Sequence, residues 1–255
     1  MLAPTVNRTY RMRTGLAAGM RKKGGLGLRQ SLGVATSQIP EEDGFLRRLD
    51  LGGKVVYDVG GFEGVHTLFF ADRVGSLGQV VTFEPHPANY EKVLDNVRAN
   101  GLTNVTVLRM AVGREAGRLV LTHLPGDTGR ATADGAIRDA MRDAREGTTS
   151  LSVPVTSVDH EIAARGLPDP DFVKVDVEGL EVDVLAGMAR TIERVAPDLF
   201  VELHGIGLDA KRANAARVVR VLFDAGYAVR HVESDTPLEP AADPPPEGHL
   251  YATAR

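Results

Sequence analysis

Cysteine and tryptophan are both absent from the 255-residue chain. Without cysteine there can be no disulfide framework, thiolate zinc site, iron–sulfur cluster or cysteine nucleophile. Aromatic residues make up only 5%, too few for the stacking platforms that hold single-stranded nucleic acid. Neither sign of charge dominates: 30 basic residues against 34 acidic ones leave a net charge of −4. That balance gives no general reason to expect nucleic acid or an anionic membrane as partner. No apolar run approaches the roughly 20 residues that span a bilayer. The basic N-terminus has no uninterrupted apolar stretch of the kind a secretory signal needs. A cytoplasmic protein is the expectation. Neither a G-x-S-x-G nucleophile elbow nor a P-loop lysine motif occurs, so acyl hydrolysis and P-loop nucleotide chemistry are set aside.

What is abundant is glycine, 28 residues of 255, placed between segments of alternating type. Residues 1–40 hold seven basic and no acidic residues and show no sustained apolar period. They read as a mobile or loosely docked arm, with a lid over an acceptor pocket as the functional alternative. From residue 41 onward the pattern predicts a single domain. Glu41–Asp50 reads as a short helix, Lys54–Val59 as a strand and Val65–Val74 as a helix. Val80–Phe83 reads as a strand, Pro87–Asn100 as a helix and Val105–Met110 as a strand. Gly117–Leu124 and Leu151–Val155 read as strands flanking a polar insertion, about 125–150, with a short helix over Ala136–Arg145. The alternation then resumes: strand to Asp176, helix Leu180–Arg194, strand Leu199–Leu203, helix Ala210–Ala225, and strands Tyr227–Val232 and Leu250–Thr253. Short, continuous apolar strands alternating with helices predict an α/β fold with a mostly parallel sheet covered on both faces. The last two strands lack a crossover helix, so they must be antiparallel if they pair.

Such sheets bind ligands beyond the carboxyl ends of their strands. Asp58, Glu84, Asp176 and the pair Glu202 and His204 all fall there. After Asp58 comes the turn Gly60-Gly61-Phe62-Glu63-Gly64. Gly60 suits the tight turn and leaves the backbone open to a ligand, while Gly64 opens the next helix where close packing excludes a side chain. Glu84 lies 20 residues past Gly64, where an acid can accept both hydroxyls of an adenosine ribose. The glycine spacing departs from the dinucleotide pattern G-x-G-x-x-G, and Glu63 stands where a pyrophosphate would be repelled. A cationic, phosphate-free adenosyl ligand fits better. A nicotinamide-dependent oxidoreductase and a non-catalytic adenosyl binder remain as alternatives.

The stretches VVYDVGGFEGVHTLFFA, VVTFEPHPANYEKVLDNVRANGLTNVTVLRMAVG, VPVTSVD, DFVKVDVEGLEVDVLAGM and LFVELHG resemble the FkbM family of S-adenosylmethionine-dependent methyltransferases. They occur in family order over about residues 45–205. The resemblance implies a class I methyltransferase fold, Rossmann-like, with a seven-stranded sheet and an antiparallel last strand. It implies that Asp58, Gly60, Gly61 and Gly64 line the methionine part of the donor, that Glu84 with Pro85 holds the ribose, and that Met110 and Ala111 border the adenine. Asp176 and Glu178 would lie near the donor methyl and the substrate. The implied reaction is O-methylation of a sugar or secondary metabolite, with a nitrogen acceptor as the variant. Partners would be a small-molecule acceptor, neither nucleic acid nor membrane, and a homodimer is compatible with it. His204 is the candidate general base, since an imidazole titrates near neutrality. Glu202 and His249 are candidates for the acceptor side. A divalent metal on Asp176, Glu178, Glu202 and His204 is conceivable but not favoured, because nothing in the sequence shows that the four converge. His66 and His86 read as packing or capping residues.

Overall fold

The structure, a computed structural model, describes residues 9–23, 41–124, 127–132 and 147–254. The expected helix Ala136–Arg145 lies outside the described residues. In chain order the strands and helices are β1 Thr9–Arg11, β2 Arg21–Lys23, α1 Glu41–Arg48, β3 Val55–Val59, α2 Val65–Val74, β4 Gln79–Phe83, α3 Pro87–Ala99 and β5 Val105–Leu108. There follow β6 Ala111–Val112, β7 Gly117–Leu124, β8 Asp127–Thr132, β9 Thr149–Thr156, α4 Val158–Arg165 and β10 Phe172–Val175. The chain continues with α5 Glu181–Gly187, α6 Ala189–Val195, β11 Asp198–Leu203, α7 Gly207–Asp224, β12 Tyr227–His231, β13 Thr236–Pro237 and β14 Gly248–Ala254.

The main sheet has the order β13-β12-β14-β11-β10-β3-β4-β5. Strands β5, β4, β3, β10 and β11 pair in parallel, and β14 inserts antiparallel between β11 and β12. Seven of these strands are the ones the apolar runs predict, and the antiparallel ending is present. The eighth, β13, comes from the start of the proline-rich segment and pairs on the outer edge of β12, where a missing N–H costs no ladder bond. The chain runs outward from β3 to β5 and then returns to β10 on the other side. The strand order therefore reverses between β3 and β10, which is where a parallel sheet opens a crevice.

Alternate residues of each strand feed two cores. Tyr57, Val59, Val81, Phe83, Val173, Val175, Leu199 and Val201 pack with residues of α4 to α7, whereas Val56, Val80, Phe172 and Phe200 pack with α1 and α2. On this second face the strand ends turn polar. Asp58, Thr82 and Lys174 are all completely or almost completely buried there.

The structure departs from the sequence reading in four places. Gly117–Leu124 and Thr149–Thr156 do not join the main sheet. They form a separate four-stranded sheet, β6-β9-β7-β8, whose inner residues Ala111, Leu121 and Val153 make a small core of their own. The strand expected to reach Met110 ends at Leu108, and the chain leaves the main sheet to pair Ala111–Val112 with β9. The helix expected over Leu180–Arg194 is two helices, broken at Met188 with φ −119°. At the break Gly187 lies so close to the Gly113 carbonyl that a Cβ would stand 2.0 Å from it. The last helix starts three residues early, at Gly207.

Within the basic arm, residues 9–23 are docked. Their hairpin β1–β2 lies against α3: the Lys23 backbone N–H donates to Asn96 Oδ1 at 2.7 Å and Lys23 Nζ pairs with Asp95 at 2.7 Å. Leu16 and Ala17 are buried in the α1–α2 core. Lys22 is 5% exposed and its Nζ meets Glu63 Oε2 at 2.6 Å. A stretch with only two core residues has no period to read, which is why it resembles a tail in sequence.

Candidate active site

The turn after β3 is built by close approach. Gly60 has φ +93°, and a Cβ there would lie 1.8 Å from the Asp176 carbonyl oxygen. The side on which a Cβ would stand is thus taken by the neighbouring strand end. Gly61 similarly faces Thr82, whose Cγ2 would be 2.4 Å from an added Cβ. Gly64 sits at the start of α2 with φ +83° and packs on Val93 of α3, so its neighbour is a helix rather than the strand. Phe62 also has positive φ, +45°, an unfavourable conformation for a residue with a side chain.

Four of the turn's amides are bonded inside the protein. Gly60 and Gly61 N–H both donate to the Phe83 carbonyl, Gly64 N–H to the Gly61 carbonyl, and Phe62 N–H to Glu84 Oε2 at 2.7 Å. A diphosphate cradle needs such amides free, and these four are not. Glu63, by contrast, is not what stands against one. Its carboxylate is buried between Lys22 and Lys92, 2.6 and 2.7 Å away, and these partners hold its pKa below the usual carboxylate range against the effect of burial.

Glu84 closes β4 at 5% exposure. It accepts from the amides of Phe62 and His86, and Asn89 Nδ2 stands 3.5 Å from Oε1. Burial lifts its pKa to about 7, although these hydrogen bonds work the other way. His86 accepts from Ala88 N–H at 3.2 Å and caps α3, confirming that it fixes the turn. His66 is bonded to Glu42 at 2.9 Å.

An open cleft of about 610 Å³ lies over the reversal of strand order. Of the expected site residues it is lined by Gly60, Glu84, Pro85, Met110, Ala111, Asp176 and Glu178. Its polar lining includes Glu84, Asp176 and Glu178, and Phe83, Met110, Ala111, Val112 and Leu121 are among its apolar residues. Asp58, Gly61, Gly64, Glu202, His204 and His249 do not line this cleft. Asp58 is wholly buried beneath it, accepting from Thr67 Oγ1 at 2.6 Å. The sequence reading missed Phe62, Asn89, Val112 and Leu121. The last belongs to the second sheet, whose placement over the cleft no local pattern announces.

Next to the cleft is a dense ionic group. Lys174, in mid-strand and 1% exposed, pairs with Asp176 Oδ2 at 2.9 Å and with Asp58 Oδ1 at 3.8 Å. Burial acts to discharge it, but these two carboxylates prevail and raise its pKa above the ordinary lysine value. Lys174 and Asp58 are register partners on adjacent strands, so the sheet itself sets the pair. Removing one member of a buried pair leaves an uncompensated charge and costs about 3–5 kcal/mol. Lys174→Ala should therefore lose stability on that scale in denaturant unfolding, with Asp58 and Asp176 left facing each other.

His204 follows β11. Its Nδ1 is 2.7 Å from Glu181 Oε1, and Glu181 is wholly buried and held by Asn214 Nδ2 at 2.9 Å and Gly179 N–H at 3.0 Å. The other ring nitrogen faces Asp176 Oδ1 at 3.6 Å, Glu202 Oε1 at 3.6 Å and Glu178 Oε2 at 3.9 Å. Burial lowers the His204 pKa, but Glu181, Asp176 and Glu178 outweigh it and bring it to about 9. At neutral pH the ring of the ligand-free protein therefore carries its proton, an unfavourable starting point for a general base. Glu202 Oε2 is 3.7 Å from His249 Nε2, which also lies 3.7 Å from Glu42 Oε1. His249 is stacked on Phe200 and anchored through Nδ1 to Glu233 at 2.5 Å. Of the four residues that the sequence could not bring together, Asp176, Glu202 and His204 each bring a polar atom within 4.8 Å of the others, whereas Glu178 approaches His204 Nε2 alone. Glu181 escaped notice because a helix-start acid ordinarily needs no explanation beyond the helix dipole.

The sheet order and the crevice at its reversal define a class I methyltransferase fold. Residues 58–229 match the methyltransferase FkbM domain, and the chain belongs to that family. Among its relatives, the hexuronic acid methyltransferase AglP of Haloferax volcanii is 30% identical over 158 residues, covering 62% of this chain and 58% of that protein. The methyltransferase sdnD of Sordaria araneosa is 27% identical over 169 residues, 58% of this chain and 65% of the relative. The chain thus spans less than two thirds of the length of either. Among solved structures, the methyltransferase FkbM from Methylobacillus flagellatus KT superposes with a TM-score of 0.50 at 18% identity, covering 81% of this chain and 45% of that one. An O-methyltransferase from Bacillus cereus in complex with SAH gives 0.51 at 13% identity, with 90% and 88% covered. Likeness at such identities concerns the fold. Among the described residues no helix is long and apolar enough to cross a membrane.

Proposed function

We propose that the protein transfers the methyl group of S-adenosylmethionine to a hydroxyl of a sugar or sugar-bearing small molecule. The observation that carries this reading is that one cleft is lined both by a buried acid, Glu84, and by the carboxylates Asp176 and Glu178. The residues fit the donor: Glu84 would hold the ribose, Met110 and Ala111 the adenine, and Asp176 with Glu178 would favour the positively charged sulfonium. When bound, S-adenosylmethionine supplies a methyl carbon to which the acceptor oxygen bonds as the carbon–sulfur bond breaks, its electron pair staying on sulfur. The protein's part is alignment, exclusion of water and removal of the hydroxyl proton, of which alignment alone can be worth roughly 7–11 kcal/mol. Asp176 is the side chain of the cleft that would act on the acceptor, with His204 beside it and Glu202 and His249 behind His204. The ionic group holds five carboxylates against Lys174 and His204. Such negative charge disfavours an acceptor carboxylate and supports a neutral hydroxyl, even where the acceptor is a hexuronic acid like that named for the Haloferax volcanii relative.

The test is transfer of labelled methyl from S-adenosylmethionine to a panel of hexoses, hexuronic acids and their glycosides. A methyl ether that survives mild alkali supports the reading, whereas an alkali-labile ester or an N-methyl product identified by mass spectrometry overturns the hydroxyl assignment.

The Glu84 pKa gives a further prediction. Between the ordinary 4.5 and about 7 the folded, ligand-free protein keeps a proton that the unfolded chain releases. This group therefore erodes stability as pH rises through that window, and a ligand requiring ionised Glu84 binds more tightly over the same range. The affinity for S-adenosylhomocysteine should improve about tenfold between pH 6 and pH 8, as the ionised fraction does for a pKa near 7. Calorimetry across that range checks it, and Glu84→Gln should flatten the dependence.

A further inference from the structure

We infer that Asp176, Glu202 and His204 form a site for one divalent cation, which binds and acidifies the acceptor hydroxyl. One ligand atom from each of the three lies within 4.8 Å of the others. The contacts to His204 Nε2, at 3.6, 3.6 and 3.9 Å, are too long for hydrogen bonds. They are a few tenths of an ångström wider than the spacing of about 3–3.5 Å between ligands sharing a metal at about 2.0–2.2 Å. Asp176 presents Oδ1 to this space while Lys174 holds Oδ2, so the lysine leaves one oxygen for a cation.

The arrangement behind the imidazole is that of a ligand. Nδ1 is bonded to the wholly buried Glu181, which fixes the ring and leaves Nε2 to face the carboxylates. Metal-bound histidines are oriented in this way by an outer carboxylate. A second observation comes from the opposite side of Glu202. His249 is 9% exposed, and its Nε2 is buried without a hydrogen-bond partner between Glu202 Oε2 and Glu42 Oε1, each 3.7 Å away. A buried polar atom left unmatched calls for a missing partner, such as a water or an ion, beside Glu202. Carboxylates with a single imidazole suit a cation of intermediate hardness such as Mn²⁺ better than Mg²⁺.

The inference rests on the methyltransferase reading and changes how Asp176 and His204 serve it: as ligands of a cation, not as direct proton acceptors. The cation coordinates the acceptor oxygen and lowers the pKa of its hydroxyl. The proton then leaves to solvent, and the oxygen's electron pair forms the new bond to carbon.

The experiment is titration of the full chain with MnCl2, without donor or acceptor, followed by calorimetry and electron paramagnetic resonance. The site predicts one Mn²⁺ per chain and a nitrogen coupling that disappears in His204→Ala. Glu202→Gln should weaken Mn²⁺ binding at least tenfold, and Glu181→Gln, outside the first ring of ligands, by 10- to 100-fold. S-adenosylhomocysteine affinity of Glu202→Gln, measured without metal, should stay at the wild-type value, which also shows that the variant is folded. Absence of Mn²⁺ binding in wild-type protein that still binds S-adenosylhomocysteine overturns the cation site alone. Absence of S-adenosylhomocysteine binding as well counts against the methyltransferase reading itself.

Discussion

Glu84→Ala should bind S-adenosylhomocysteine at least a hundredfold more weakly than the wild-type protein. A hydrogen bond to a charged group is worth about 1.5–3 kcal/mol, and the ribose offers two hydroxyls to this carboxylate. The substitution also strips the acceptor from the Phe62 and His86 amides, so weakened binding could in principle come from a disturbed turn. An adenosyl analogue lacking both ribose hydroxyls separates the two causes. If Glu84 works through the ribose, wild-type and variant proteins bind that analogue with similar affinity, and the losses from substitution and analogue are far from additive. If the turn has collapsed, the variant is worse with both ligands by the same factor.

Gly60→Ala should be the most damaging single-methyl substitution in the cleft. Two costs coincide there: φ of +93°, and a Cβ placed 1.8 Å from the Asp176 carbonyl oxygen. Left-handed backbone costs a residue with a side chain about 1–2 kcal/mol, and forcing packed backbones apart adds about 1–3 kcal/mol. A loss of about 2–5 kcal/mol in equilibrium unfolding is expected, together with loss of donor affinity as β3 and β10 separate. Gly53→Ala is the control. Its φ is +73° but nothing lies within 4 Å of an added Cβ, so only the conformational cost of about 1–2 kcal/mol remains. Equal losses in the two variants would mean that the approach of Asp176 to Gly60 is not what the glycine is for.

These positions also show how far the sequence could be read. Asp58, Glu84, Asp176 and Glu202 could be placed together because each stands at or near the end of a short apolar strand, and a parallel sheet gathers such ends at one edge; of the four, Glu84 and Asp176 line the cleft. The mostly parallel pairing of the strands was visible in the alternation with helices, as was the antiparallel ending in the lack of a crossover. What the sequence concealed is what depends on pairing between distant segments. Gly60 was correctly marked as a turn glycine, but its close neighbour is a carbonyl 116 residues further along the chain. Lys174 read as one polar residue in an apolar strand. Its meaning appears only when the register sets it opposite Asp58. Glu63 was read as a charge facing the ligand, and the structure instead turns it to Lys22 of the N-terminal hairpin and to Lys92. The metal reading was set aside because strand alternation does not show convergence, and it returns because His204 stands beyond the end of β11, free of the strand's alternation.

The histidine pattern carries the same lesson. His204 and His249 both have pKa values brought to about 9, against the effect of burial, by carboxylates. In sequence each is a solitary imidazole near a strand. Only the assembled site makes them cations among acids, and that is why an assignment as general base, reasonable from type and place, has to be weighed against ligation.

The measurement that bears most directly on the account is calorimetric titration of the wild-type chain with S-adenosylhomocysteine, with NAD and NADP titrated in parallel. The account predicts one S-adenosylhomocysteine per chain and no heat from either dinucleotide, since the amides of Gly60, Gly61, Phe62 and Gly64 are bonded within the protein and the glycine spacing departs from the dinucleotide pattern. Dinucleotide binding with no response to S-adenosylhomocysteine would contradict it.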